Sequence, residues 1–250
     1  MKRQKLITFL NEYLKLNDYA RIDRSLNGLQ VAGEEKDIQQ IAFAVDACQE
    51  TIDRAIASGA DMLIVHHGLF WGEPLALTAS HGRRVNAMMT HHLDLFAAHL
   101  PLDAHMEVGN NVVMAQMLKL TNIQPFAYYK GKSIGVSGEL SEALSLDKIA
   151  KVLHFTHPVA LDFAGRPLRK IAIVSGEGAD DVFDAKEQGF DLLITGETLH
   201  RTYHYCEEEK ISMLCGGHYE TEVYGVKALA LLLLNKFQLQ VGFIDVPTGL

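Results

Sequence analysis

Cysteine is scarce in this chain: Cys48, Cys206 and Cys215 are the only three in 250 residues. An odd count without paired spacing excludes a disulfide framework or a cysteine-based zinc knuckle and fits a reducing compartment. Basic charge is also short. With 23 Lys and Arg against 31 Asp and Glu, the formal net charge is −8, so nucleic acid and anionic membrane surfaces are unfavourable partners. Long apolar runs are missing too. Nothing approaches the ~18 uncharged apolar residues of a membrane span, and the run Ala228 to Leu234 belongs to a helix. The opening segment is interrupted by Asn11, Glu12 and Lys15 too early for a signal-peptide core and reads as an amphipathic helix. These absences predict a soluble, cytoplasmic protein.

What is present is an ordinary globular composition, 48% hydrophobic and 22% charged, with twelve histidines. Histidine at that level is where the chemistry should be sought. The chain also repeats itself. Ile41 to Gly68 aligns without a gap onto Ile171 to Thr198 at an offset of 130, sharing Ile, Ala, Ala, Gly, Asp, Leu and Ile. In both copies a short apolar run leads to a polar or acidic helix start, an amphipathic stretch ending at Gly59 or Gly189, and a second apolar run. That is β-α-β, twice. Each copy continues through another helix into a third apolar run, Leu95 to Ala98 and Ile211 to Leu214. The pattern predicts an α/β fold of two topologically similar lobes with parallel sheets, residues 1–125 and 126–250. A linker region falls at 122–169, with a strand expected over Lys132 to Leu140 and a helix over Ser145 to Leu153. An apolar helix over Val223 to Lys236 and a strand over Leu239 to Val246 are expected to pack back on the first lobe.

The strand Met62 to Val65 runs into His66-His67-Gly68, and ligands of α/β sheets gather at strand carboxyl ends. Adjacent strand residues point to opposite faces, so both imidazoles serve one site only if the chain turns, which Gly68 permits. The third run of the first copy ends with His99 and Asp103, four apart; the matching place in the second copy holds His218 and Glu222, also four apart. If His218 opens the final helix, the i and i+4 side chains share a face. Imidazole and carboxylate donors without thiolate suit zinc, iron, manganese, nickel or cobalt. Even three of these histidines with the two carboxylates exceed the ligand set of one catalytic zinc, which points to two ions.

LIVHHGLFW, HLPLDAH, ITGE, GGHYETE and the early SLNGLQV together resemble the YbgI-like family, the bacterial NGG-one-interacting-factor-three-like proteins often labelled GTP cyclohydrolase type 2 homologues. The resemblance spans nearly the whole chain. It implies two interlinked α/β lobes, a dinuclear metal centre and a ring-shaped homohexamer. Carried onto this sequence, it puts the metal ligands at His66, His67, Asp103, His218 and Glu222, His99 beside the metals, and Glu197 in the role of general acid/base. It also implies a metal-dependent, cyclohydrolase-like hydrolase acting on a small substrate. A metal-delivery protein or a scaffold for protein partners is the alternative.

Other candidates are weaker. His200 and His204 sit four apart in a polar, charged stretch, and His91-His92 reads as a helix end. Ser175-Gly176-Glu177-Gly178 occupies the place of a phosphate-cradling turn, but Glu177, Asp180 and Asp181 put negative charge there. Cys215 reads as a small buried hydrophobe. Trp71, the lone tryptophan, either lines the entrance to the site or packs in the core.

Overall fold

A computed structural model describes residues 1–250. In chain order the first half builds α1 (Arg3–Tyr13), β1 (Gly28–Val31), β2 (Gln40–Asp46), α2 (Gln49–Ala57), β3 (Met62–His67), α3 (Ala79–Thr90), β4 (Asp94–Ala97), α4 (Leu100–Asp103) and α5 (Asn110–Met117). Then come β5 (Thr121–Tyr129), β6 (Lys132–Leu144), α6 (Leu146–Val152), β7 (Val159–Leu161), β8 (Leu168–Val174) and α7 (Asp181–Glu187). The chain closes with β9 (Leu192–Thr195), α8 (His200–Glu209), β10 (Ser212–Cys215), α9 (His218–Phe237) and β11 (Gln240–Phe243). It divides into two compact units, Met1–Leu102 with Val226–Val246, and Asp103–Gly225 with Pro247–Leu250. No helix is long and apolar enough to cross a membrane.

The first unit holds a five-stranded sheet in the order β1-β4-β3-β2-β11, in which only β1 runs antiparallel to its neighbour. The second holds a six-stranded sheet, β5-β6-β8-β9-β10-β7, with β8, β9 and β10 parallel. The internal repeat is visible in the strand register. Ile41 faces Met62 and Ala42 faces Leu63; Ile171 faces Leu192 and Ala172 faces Leu193, each pair moved by the same 130 positions. Both α2 and α7 stop the same way. The Gly59 and Gly189 backbones take φ of +75° and +76°. Ala60 and Phe190 then donate back to the Ala55 and Ala185 carbonyls, a closure that needs the left-handed conformation glycine adopts without strain. At the other end of α2, the Cys48 sulfur accepts from the Thr51 amide and the Thr51 hydroxyl accepts from the Cys48 amide, so this cysteine caps a helix.

Strands β3 and β9 are buried along almost their whole length, as central parallel strands covered on both faces should be. Burial of each such aliphatic side chain contributes about 1.5–3 kcal/mol. Two expectations shift. The stretch read as a linker holds the expected strand and helix, as β6 and α6, and adds β5 and β7, all with sheet partners or core contacts; β5 carries many exposed positions, which weakened its apolar signal. Helix α9 begins at His218, five residues before the apolar stretch that announces it.

Candidate metal centre

Each unit brings metal-type donors to the carboxyl ends of its parallel strands. In the first, β3 delivers His66 and His67 and the turn after β4 delivers His99. The ring centroids lie 4.7 Å (His66–His67), 5.0 Å (His66–His99) and 5.6 Å (His67–His99) apart, and one donor atom from each ring falls within 4.8 Å of the others. Every ring is oriented through Nδ1. His66 Nδ1 meets the Ala98 carbonyl at 3.0 Å, His67 Nδ1 meets Asp46 Oδ1 at 2.8 Å and His99 Nδ1 meets Asp23 Oδ1 at 2.9 Å. An acceptor on Nδ1 fixes the proton there and leaves the lone pair on Nε2, the arrangement of a metal-ligating imidazole.

The SLNG segment is what positions His99. The Asn27 side chain accepts from the His99 amide and donates to Asp23, whose oxygens also accept from the Ser25 and Leu100 amides. Burial pushes the Asp23 carboxyl up, but the hydrogen bond and charge of His99 lead a group of interactions that hold it below the ordinary range. Gly68 serves a purpose other than a turn. A Cβ there would sit 2.3–2.6 Å from the Gln30 amide group, and that amide accepts from the Leu69 backbone. Glycine is needed because another side chain occupies the space.

In the second unit, Asp103 ends α4, and His218 and Glu222 lie one turn apart at the start of α9. Asp103 and Glu222 are buried. Asp103 Oδ1 accepts from Asn110 Nδ2 at 2.8 Å and from the Ser175 hydroxyl at 2.9 Å. Asn111 braces the same place, donating to the Asp103 carbonyl and accepting from the Ser175 amide. His218 Nε2 lies 3.2 Å from Glu222 Oε1, and its Nδ1 lies 2.5 Å from Glu197 Oε1. The Glu222 hydrogen bond, opposed by burial and helped by Glu197, pushes the His218 imidazole up to about 9.

Oxygens of Asp103 and Glu222 approach within 4.8 Å of each other. Two buried carboxylates so close repel strongly unless a cation lies between or beside them. The backbone is shaped to this cluster: at Gly176, with φ of +64°, a Cβ would stand 2.5 Å from Glu222 Oε1 and 3.3 Å from His218 Nε2. At Gly196, in the ITGE motif, a Cβ would strike the Gly176 carbonyl and the His218 Cα.

The weaker candidates resolve simply. The Gly176 and Gly178 amides donate to the Thr221 and Thr195 hydroxyls, so the glycine turn spends its donors inside the protein. His204 is exposed beside Glu207. Cys215 is buried, and that burial pushes its thiol up to about 12. Asp23, Asp46, Asn110 and Asn111 were not legible as site residues, and Ser175 was read only as part of a glycine turn: apart from the short-range contacts of Asn110 and Asn111 with Asp103, these residues act on partners distant in sequence.

The family model of DUF34/NIF3 (NGG1p interacting factor 3) matches residues 1–248. The chain belongs to the DUF34/NIF3 family. Similar members include proteins named GTP cyclohydrolase 1 type 2 homolog from Pyrococcus abyssi, 44% identical over the whole of both chains, and from Deinococcus radiodurans, 43% identical over 99% of this chain and 94% of that one. Among solved structures, TTHA1606 of Thermus thermophilus superposes with a TM-score of 0.90 at 38% identity over the full length of both. The protein ybgI superposes at 0.89, with 34% identity and 99% of each chain covered. DUF34/NIF3 membership agrees with the two α/β units described above.

Proposed function

We propose that His66, His67, Asp103, His218 and Glu222 hold a pair of divalent metal ions in this DUF34/NIF3 protein, with His99 beside them, and that the centre serves a cyclohydrolase-like hydrolysis of a small substrate. The observation that carries the reading is the orientation of the donors. Each imidazole named is tied through Nδ1 to an oxygen acceptor, and Asp103 and Glu222 offer buried carboxylate oxygens, a donor type that divalent cations favour. Imidazole and carboxylate together suit zinc, iron, manganese, nickel or cobalt.

When bound, such ions supply Lewis acidity and acidify water. The chain's own residues do the rest. Asp46 and Asp23 keep their histidines in the ligating tautomer, and Asn110 with Ser175 fixes the carboxylate plane of Asp103. Glu197 holds His218 through one oxygen while its side chain stays 42% exposed, a placement that lets it take up or release a proton at its other oxygen. The family resemblance also carries a ring-shaped homohexamer, which light scattering behind a sizing column tests directly.

The activity is tested by loading the protein separately with each metal and assaying nucleotides, phosphoesters and cyclic amides. Hydrolysis of one class that is lost in Asp103→Ala supports the reading. Absence of turnover across the panel with fully loaded protein contradicts the hydrolytic part of it.

A further inference from the structure

Trp71 is the chain's single tryptophan, and it stands against two of the three clustered histidines. Its ring centroid lies 5.0 Å from His99, edge to face at 77°, and 5.9 Å from His67. The indole N–H donates to the Gly68 carbonyl at 3.1 Å. Even so, the residue is 37% exposed. Partial exposure is ordinary for a tryptophan; what sets this one apart is that its open part lies at a donor cluster, where a ligand can reach it.

The backbone around it is clamped. The Leu26 amide donates to the Phe70 carbonyl at 2.9 Å; Gln30 bridges the Leu26 carbonyl and the Leu69 amide at 2.7 Å each. Gly72, with φ of +83°, brings the chain so close to the Arg24 carbonyl that a Cβ would lie 3.3 Å away. Leu26, held in this clamp, is 53% exposed. The result is an exposed indole on a clamped segment, beside imidazoles whose orientation is already fixed. The indole offers π-surface and no charge, which suits a flat ring and not a phosphate or a sugar.

We infer that Trp71 is the platform on which a planar heteroaromatic ring of the substrate stacks next to the metal-binding histidines. This deepens the hydrolase reading by naming the substrate class, and it rests on that reading for the chemistry that follows binding. Trp71 acts by positioning the ring; the proton transfers belong to other groups.

The test uses the emission of Trp71 itself, excited where tyrosine does not absorb, so that one fluorophore reports on one place. Protein as purified is titrated with adenosine, guanosine and uridine, and with ribose 5-phosphate as the ring-free probe. Saturable quenching by at least one nucleoside and none by ribose 5-phosphate is expected. Binding of that nucleoside by calorimetry should persist within a few-fold in Trp71→Phe and weaken about tenfold or more in Trp71→Ala. Metal content measured on the same samples separates the two proposals. Trp71→Ala should keep its metal, and nucleoside quenching in a wild-type protein that stays metal-free even after incubation with the candidate divalent ions would sink the metal reading while leaving the stacking platform intact. Absence of quenching by all three nucleosides, or equal affinity in Trp71→Ala and wild type, overturns the platform.

Discussion

Asp191 does in the second unit what Asp61 does in the first. Asp61 Oδ2 accepts from the Gln39 and Gln40 amides at 2.7 and 3.0 Å, and Asp191 Oδ2 accepts from the Arg169 and Lys170 amides at 2.9 Å each. Both donors and acceptor are displaced by the same 130 positions, so the repeat conserves a polar brace between adjacent parallel strands as well as their register. Asp191 is buried and also pairs with Arg166 at 2.6 Å, whereas Asp61 is partly exposed. Asp191→Ala should therefore cost about 2–3 kcal/mol, and Asp61→Ala clearly less. Urea unfolding of the two variants checks the order.

The carboxylates behind the histidines should matter to metal affinity more than to folding. Asp46 meets His67 at 2.8 Å from a partly exposed position, so its loss leaves little unpaired in the core. Asp46→Ala is expected to weaken metal binding about 10–100-fold with a small change in melting temperature. Competition with a chromophoric chelator measures the first, and a thermal melt the second.

Gly176→Ala tests the shape of the second unit's donors. The added methyl carbon would arrive 2.5 Å from Glu222 Oε1 in a backbone of φ +64°, so Glu222 must move. The variant should fold with a penalty of order 1 kcal/mol yet lose bound metal. Retention of wild-type metal content would mean that Glu222 is not a ligand.

A pH dependence follows from Asp181, in the first turn of α7. Burial, with Asp184 and Asp180 nearby, pushes its carboxyl up to about 6 from an ordinary 3.8. Because the folded-state value is the higher one, ionisation opposes folding. The penalty grows as pH rises from 3.8 towards 6 and is complete above it. The helix N-terminus and partial exposure offset some of this, so Asp181→Asn should gain about 1 kcal/mol at neutral pH. The gain should vanish at a pH below the ordinary aspartate range, as denaturation curves at both pH values would show.

Much of the architecture was legible because it is periodic. The offset of 130 could be read from seven matched residues, and the glycines at 59 and 189 marked helix ends that the fold closes in the same way. The strand-end positions of His66, His67, His99 and His218 were legible for the same reason. Strand β6 was legible over Lys132 to Leu140, but its partner β5 was not, since a strand with so many exposed positions carries a diluted apolar signal. The supporting residues were hidden by distance along the chain: Asp23 reaches His99 across 76 positions and Ser175 reaches Asp103 across 72. No local pattern encodes such a contact. Gly68 was noticed for the wrong reason, because a sequence shows where a side chain is absent but not which neighbour, here Gln30, fills the space.

The most direct measurement is metal content per chain by elemental mass spectrometry, on wild type, Asp103→Ala and His218→Ala, purified without chelators and without a histidine tag. The account predicts close to a pair of divalent ions per wild-type chain and a clear loss in both variants. Metal-free wild-type protein that stays metal-free after incubation with zinc, iron, manganese, nickel and cobalt would contradict it, and would leave the clustered histidines and buried carboxylates with only a structural role.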